Sequence, residues 1–268
     1  MIGVFDSGVG GLTVLHECLV SLPEEDYFYV GDSGHFPYGT KTPDELRQRA
    51  VAITGYLFDR DIKLLVIACN SATAAAGELI TAMGEESGVP VVTVVAPEAE
   101  IAAAITGNGK VGVLATPATV SSGAYHRALE AQGRPLEVTE VAAPDLASMI
   151  QDDLSFDEHL IDLVRQYCRP LHDAGVDTLI LGCTHYPLVA PLLQRILGRD
   201  VRLVTAGHAI AGAIQRELAG AGSLNRGTGE GDYHFAVTGD VADFTRDGTR
   251  FLQLPLAGRV ERAEIPLP

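Results

Sequence analysis

Two of the four cysteines in this 268-residue chain share a setting that the other two lack. Cys69 closes the apolar run Leu64-Leu65-Val66-Ile67-Ala68 and is followed by Asn70-Ser71-Ala72-Thr73. Cys183 closes Thr178-Leu179-Ile180-Leu181-Gly182 and is followed by Thr184-His185-Tyr186-Pro187. Each reads as a buried strand delivering a thiol to small polar residues that open a helix. A thiol at a helix N-terminus sits in a positive field, expected to lower its pKa from about 8.5 towards neutrality. Cys18 and Cys168 fall inside helical patterns and read as small core residues.

Matched thiols can form a disulfide, part of a metal site, a nucleophile with its resolving partner, or an acid and base pair. Cys183 with His185 supplies only a partial ligand set, so no metal is expected, and the CxxC spacing usual for a redox pair is missing. An acid and base pair suits a reaction that treats mirror-image substrates alike, with a proton acceptor on one face of a carbon and a donor on the other. That reaction is racemisation. Amino-acid racemisation commonly uses pyridoxal phosphate held on a lysine. Here Lys63 and Lys110 precede strands, at the end away from the ligand loops, and Lys41 lies beyond a turn. A mechanism without any cofactor is therefore expected.

The net charge of −16 argues against nucleic acid as a partner and makes an anionic substrate a local problem. Backbone N–H groups at helix N-termini, with Ser7, Asn70, Ser71, Thr73, Thr116, Thr119 and Thr184, would hold its carboxylates.

Strands alternating with helices position these residues. Ile2 to Phe5 reads as a strand, Asp6-Ser7-Gly8-Val9-Gly10-Gly11 as a glycine-rich turn, and Leu12 to Leu22 as a helix. A strand at Tyr27 to Gly31 leads into a long loop ending in Pro37-Tyr38-Gly39, and Thr42-Pro43-Asp44-Glu45 has the order of a helix start. Further strands are expected at Val89 to Val95, Glu137 to Ala142, Val201 to Val204 and Tyr233 to Val237, and further helices at Pro97 to Ile105, Asp157 to Ala174, Ala209 to Leu218 and Asp243 to Phe251. Residues 219–232 read as a glycine-rich surface loop. At Lys110-Val111-Gly112-Val113-Leu114-Ala115-Thr116-Pro117 the opening pattern starts again, so each half offers an early loop and a later cysteine. The expected fold class is α/β, with two similar lobes, each a mainly parallel sheet flanked by helices, and the active site at their interface. Residues 1–96 with 205–268 would form the Cys69 lobe and residues 97–204 the Cys183 lobe.

Met1 runs directly into a strand, leaving no room for a signal peptide, and no apolar run approaches the roughly 20 residues of a membrane helix. A soluble, cytoplasmic chain with reduced thiols and no membrane partner is expected.

Four ordered segments also carry a resemblance. Gly3-Val4-Phe5-Asp6-Ser7-Gly8-Val9-Gly10-Gly11-Leu12-Thr13, Gly31-Asp32-Ser33 with Pro37-Tyr38-Gly39, Ala68-Cys69-Asn70-Ser71-Ala72, and Leu181-Gly182-Cys183-Thr184-His185-Tyr186-Pro187-Leu188 resemble the motif set of the glutamate racemase family, within the aspartate/glutamate racemase superfamily. The similarity runs from Ile2 to about Leu218, with an echo at Thr238-Gly239-Asp240. It implies a cofactor-independent isomerase, a homodimer, that supplies D-glutamate for peptidoglycan and so for cell-wall biogenesis and cell shape. Carried over, Cys69 would take the α-proton from D-glutamate and Cys183 from L-glutamate, each acting as acid in the other direction. Asp6 and His185 would assist the thiols, and Asp6-Ser7, Pro37-Tyr38-Gly39, Asn70-Ser71 and Thr184-His185 would contact substrate. The chain departs from the family at Gln151, where a glutamate is usual, and at Thr205-Ala206, where an Asp-Ser pair is common. Competing readings are the same chemistry on aspartate, a bilobed amino-acid-binding protein, and a hydrolase using one cysteine as nucleophile.

Overall fold

The structure is a computed structural model that describes residues 1–152, 154–227 and 229–267. In chain order its elements begin with β1 (Ile2–Asp6), α1 (Leu12–Ser21), β2 (Tyr27–Gly31), α2 (Pro43–Phe58), β3 (Leu64–Ile67), α3 (Asn70–Ser87) and β4 (Val91–Thr93). There follow α4 (Val95–Ile105), β5 (Lys110–Ala115), α5 (Pro117–Ser122), α6 (Ala124–Glu130), β6 (Glu137–Ala142), α7 (Leu146–Asp152), α8 (Glu158–Ala174) and β7 (Thr178–Gly182). The chain ends with α9 (Ala190–Leu197), β8 (Arg202–Val204), α10 (Ala206–Gly220), β9 (Tyr233–Val237), α11 (Val241–Leu252) and β10 (Val260–Arg262).

Among the described residues every strand pairing is parallel. One sheet has the order β10-β9-β2-β1-β3-β4 and the other β6-β5-β7-β8. The run β2-β1-β3-β4 of the first sheet is the same topology as β6-β5-β7-β8 of the second, so the two lobes are copies of one plan and the first adds β9 and β10 at an edge. In such sheets ligands bind beyond the carboxyl ends of the strands where the order reverses. That point lies between β1 and β3 in one lobe and between β5 and β7 in the other, the strands that precede Asp6-Ser7, Cys69, Thr116 and Cys183.

Helices cover both faces of the larger sheet, and its central strands β1 and β3 are accordingly free of polar side chains up to Asp6 at the end of β1. Along β1 and β3, Ile2, Val4, Leu64 and Val66 join a core that continues into the second lobe through Val111, Val113 and Leu179. Their neighbours Phe5, Leu65 and Ile67 face a separate core under α2. On the continuous side α10 packs against both α1 and α4. One hydrophobic body thus joins the lobes behind the cleft.

Local signals explain several boundaries. Thr42 caps α2 reciprocally with Glu45, and Pro43 holds the first helical position. Differences from the sequence reading are the short helices α6 and α7, which it did not contain, and several element ends. The β4 strand is shorter than expected because the helix already begins at Val95, with Pro97 in its first turn, where its missing N–H costs nothing. The α10 helix starts at Ala206, α11 is capped by Asp240, and β10 was not foreseen, being a three-residue edge strand with no alternating pattern to reveal it. The expected loop 219–232 loses its first two residues to α10, and Thr228 within it lies outside the described residues.

Candidate active site

The strand-to-helix junctions of both lobes meet across one narrow cleft. Its lining includes Ser7, Pro37, Tyr38, Gly39, Cys69, Asn70, Ser71, Thr116, Cys183, Thr184 and His185, together with Phe36, Thr40, Pro144 and Ala147, which sequence reasoning missed. Among the described residues no lysine or arginine is in that lining.

Cys69 is the N-cap of α3, and its Sγ accepts the Ala72 N–H at 3.4 Å. Cys183 differs. It is followed by the turn Thr184-His185 and a 3-10 turn at Tyr186–Val189, so no α-helix opens directly behind it. The expected fall in thiol pKa is overturned for both residues. Burial pushes Cys69 well above the usual thiol value, and the Asp6 carboxylate adds to this against the Ala72 N–H. Burial likewise pushes Cys183 up to about 12, against the backbone N–H groups of His185 and Tyr186. Two or three dipoles at a helix or turn start do not offset the removal of water from a thiolate.

Asp6 is fully buried behind the lining. It accepts N–H groups from Gly8 at 3.2 Å and Gly11 at 3.0 Å, and the Thr184 hydroxyl of the other lobe at 3.3 Å. Burial nevertheless raises its pKa above the ordinary carboxylate value. His185 Nδ1 lies 3.9 Å from Cys183 Sγ, and its Nε2 lies 3.0 Å from Gln151 Oε1. With the ring donating from Nε2 to the amide oxygen, Nδ1 is left as an acceptor facing the thiol. Burial, with the nearby Arg250 charge, lowers the His185 pKa to about 3, so the ring is neutral.

The glycine-rich turn serves this approach. A Cβ at Gly10 would stand 2.4 Å from the His185 ring and from the Thr184 hydroxyl, and one at Gly39 would stand 2.7 Å from the Thr116 Cβ. Only a bare backbone lets the lobes come this close. Across the same seam the Ser71 hydroxyl is 2.9 Å from that of Thr116, and Thr13 donates to the Thr184 carbonyl at 3.0 Å.

Three expected contact residues are placed otherwise, the first being Asp6, which stands behind the lining. Thr119 is fully buried behind Thr116, 3.1 Å from its hydroxyl, and does not line the cleft. Thr73 lies on a different face of α3, over an outer groove, with its hydroxyl turned back to the Ile67 carbonyl at 3.4 Å. The helical period, about 100° per residue, turns position 73 away from the face that Ser71 presents.

The Pro37-Tyr38-Gly39 loop is held from below by Asp32. This buried carboxylate accepts the Tyr38 hydroxyl, Arg49 through Nε at 2.9 Å and Nη2 at 2.7 Å, and the Thr238 hydroxyl at 2.7 Å. Burial opposes its charge, but these donors outweigh it and hold the pKa below the usual value. The segments Gly31-Asp32-Ser33 and Thr238-Gly239-Asp240, noted in the sequence, thus support the loop.

Comparison with known proteins follows the same lines. A family model described as Asp/Glu/hydantoin racemase matches residues 7–214. The glutamate racemase of Geobacter metallireducens is 43% identical over 252 residues, 94% of this chain and 92% of that protein. Among solved structures, glutamate racemase isoform RacE1 from Bacillus anthracis superposes with a TM-score of 0.94 at 34% identity, covering 100% of this chain and 98% of the other. The glutamate racemase of Francisella tularensis in complex with D-glutamate gives 0.91 at 31% identity, covering 98% and 97%. No helix among the described residues is long and apolar enough to cross a membrane.

Proposed function

The chain belongs to the Asp/Glu/hydantoin racemase family, and within it to the glutamate racemases; from that premise we propose that it interconverts L- and D-glutamate by passing the α-proton between two cysteines. It is a racemase, an isomerase. The observation that carries the two-base reading is the placement of Cys69 and Cys183 after equivalent strands, β3 and β7, on opposite walls of one cleft.

With D-glutamate bound, the Cys69 thiolate takes the α-proton, so that a C–H bond breaks and an S–H bond forms, while the Cys183 thiol gives its proton to the opposite face of the carbon. L-glutamate reacts in the reverse sense. Both thiols are held protonated by burial, so a thiolate must be made when substrate arrives. The α-ammonium of the substrate supplies a positive charge in a dry site, which favours the thiolate beside it. His185 Nδ1, a neutral acceptor 3.9 Å from Cys183, takes that thiol's proton. Asp6, the carboxylate whose charge reaches Cys69, plays that part for the other thiol. The substrate carboxylates are held by hydroxyls of Ser7, Ser71, Thr116 and Thr184 and by backbone N–H groups at the start of α3 and in the Tyr38-Gly39 turn. Such neutral donors stabilise an anion without a lysine that would compete for the transferred proton.

The cleft volume is about 20 Å³, room for roughly one water. Substrate entry therefore separates the walls, and closure excludes water from the carbanionic stage. The lobe crossovers of this reading lie near residues 96 and 204. The working unit is a cytoplasmic homodimer that needs no cofactor and supplies D-glutamate for peptidoglycan.

The test is incubation of each glutamate enantiomer in D₂O without added cofactor, following deuterium at Cα and optical rotation. Exchange with loss of rotation from both enantiomers is expected. No exchange from either would sink the proposal, and exchange with aspartate alone would redirect it to that substrate.

A further inference from the structure

Behind Asn70 lies a buried carboxyl group that the racemisation scheme does not use. Glu98, in the first turn of α4, and Tyr125, on α6, are both fully buried. The Tyr125 hydroxyl donates to Glu98 Oε2. Asn70 Nδ2 donates to the same Oε2 at 3.2 Å and to the Tyr125 oxygen at 2.7 Å. Both amide hydrogens of Asn70 are thereby used on the side away from substrate. Its Oδ1 is buried and has no partner among the described residues, although the residue lines the cleft.

An amide presents oxygen and nitrogen with nearly the same shape, so Asn70 alone could turn either towards a ligand. Its two neighbours decide. Once the phenol proton is given to Glu98, the Tyr125 oxygen can only accept, and Glu98 Oε2 is also an acceptor. Nitrogen must face this pair, and oxygen is what remains.

We propose that Glu98, directly and through Tyr125, is a positioning residue that locks the Asn70 amide with its oxygen towards the cleft, where it accepts a hydrogen bond from the substrate α-ammonium. This rests on the glutamate racemase reading. Burial pushes Glu98 up to about 8, so near neutral pH the group is mainly a carboxylic acid, with its proton on the unpartnered Oε1. In that form it adds no negative charge beside Cys183, whose thiolate a charged Glu98 would disfavour.

The hydrogen bond to the ammonium exists in ground and transition states alike, so its loss should appear in KM more than in kcat. Glu98→Leu, which takes the acceptor from the Tyr125 hydroxyl and from one of the two Asn70 N–H bonds, should lower kcat/KM about 10-fold or more in both directions, mainly through KM. Glu98→Gln imitates the neutral acid and should stay within roughly threefold of the parent. Tyr125→Phe should fall between them. In an Asn70→Ala background neither Glu98→Leu nor Tyr125→Phe should cost anything further, because the residue through which they act is gone. An undiminished kcat/KM in Glu98→Leu, or an equal loss in the Asn70→Ala background, would overturn the proposal; Tyr125→Phe carries the same comparison if Glu98→Leu does not fold. Deuterium exchange by the parent protein is measured alongside, and calorimetric binding of glutamate to the parent and to Tyr125→Phe reads the Asn70 contact even if the parent does not racemise.

Discussion

His185 Nε2 lies 3.0 Å from Gln151 Oε1. Arg250 of α11 fixes the backbone there, donating to the carbonyls of Ile150 at 3.0 Å and Gln151 at 2.8 Å. A neutral amide at this place leaves the imidazole neutral, whereas a carboxylate would favour its protonated form. Gln151→Glu should therefore raise the His185 pKa from about 3 and move the acidic limb of the pH profile for L-glutamate upwards, with a modest change at the optimum. Profiles of kcat/KM against pH for both proteins check this. Complete loss of activity, or a large gain, would show that the amide does more than set the ring's charge.

Neither thiol of the cleft should be reactive in the free protein at pH 7. Burial raises Cys183 to about 12 and Cys69 further, and the thiolate is the form that is alkylated. Iodoacetamide labelling followed by peptide mass spectrometry should find both sites nearly unmodified at pH 7 and faster at pH 10. Rapid labelling at neutral pH without substrate would contradict the buried-thiol picture.

Cys69→Ser and Cys183→Ser should each abolish racemisation, since a serine hydroxyl is far too weak an acid and base for the exchange. Polarimetry from each enantiomer reads the result. Full activity in either single variant would remove the two-base mechanism.

The Asp32–Arg49 pair is nearly dry, with side chains 0% and 7% exposed. Arg49→Leu leaves the Asp32 carboxylate buried with only hydroxyl and histidine partners, at a cost of about 3–5 kcal/mol in urea denaturation. Because Asp32 also accepts the Tyr38 hydroxyl, the same change should raise KM for glutamate. A variant with unchanged midpoint and KM would show that the loop is held by other contacts.

Acid sensitivity should be traceable to His185. Its folded pKa is depressed to about 3 from 6.5, so the unfolded chain binds the extra proton between those values. Stability from this residue is complete above pH 6.5 and falls as pH drops towards 3, by up to ~1.4 kcal/mol per pH unit. Asp6 and Glu98, both raised by burial, act in the opposite sense, their folded forms holding protons more tightly. The comparison of parent with His185→Asn isolates the histidine: the variant should lose less stability than the parent between pH 6.5 and 4. Parallel curves would disprove the assignment.

How far the sequence alone reaches is visible in Cys69 and Thr73. The apolar run before Cys69, the small polar residues after it and their repetition at Cys183 are local patterns, and a strand-to-helix junction follows from them because strand and helix periods are set by the backbone. The repeat of that grammar also carries the two-lobed parallel architecture, found here as β2-β1-β3-β4 and β6-β5-β7-β8. Which residues face the cleft is another matter. Thr73 has the chemistry of Ser71 and lies two positions on, yet helical rotation puts it over an outer groove. Phe36, Pro144 and Ala147 line the cleft with no chemical signature to mark them. The protonation of the thiols was decided in the same way: the helix-start dipole is legible in sequence, but the burial that outweighs it arises only when Gly10 lets Thr184 and His185 of the second lobe close over the first. The Glu98–Tyr125–Asn70 contact joins α4, α6 and α3, segments far apart in the chain. Local pattern determined most of the elements, and the approach of the two lobes, which no local pattern encodes, determined the electrostatics of the site.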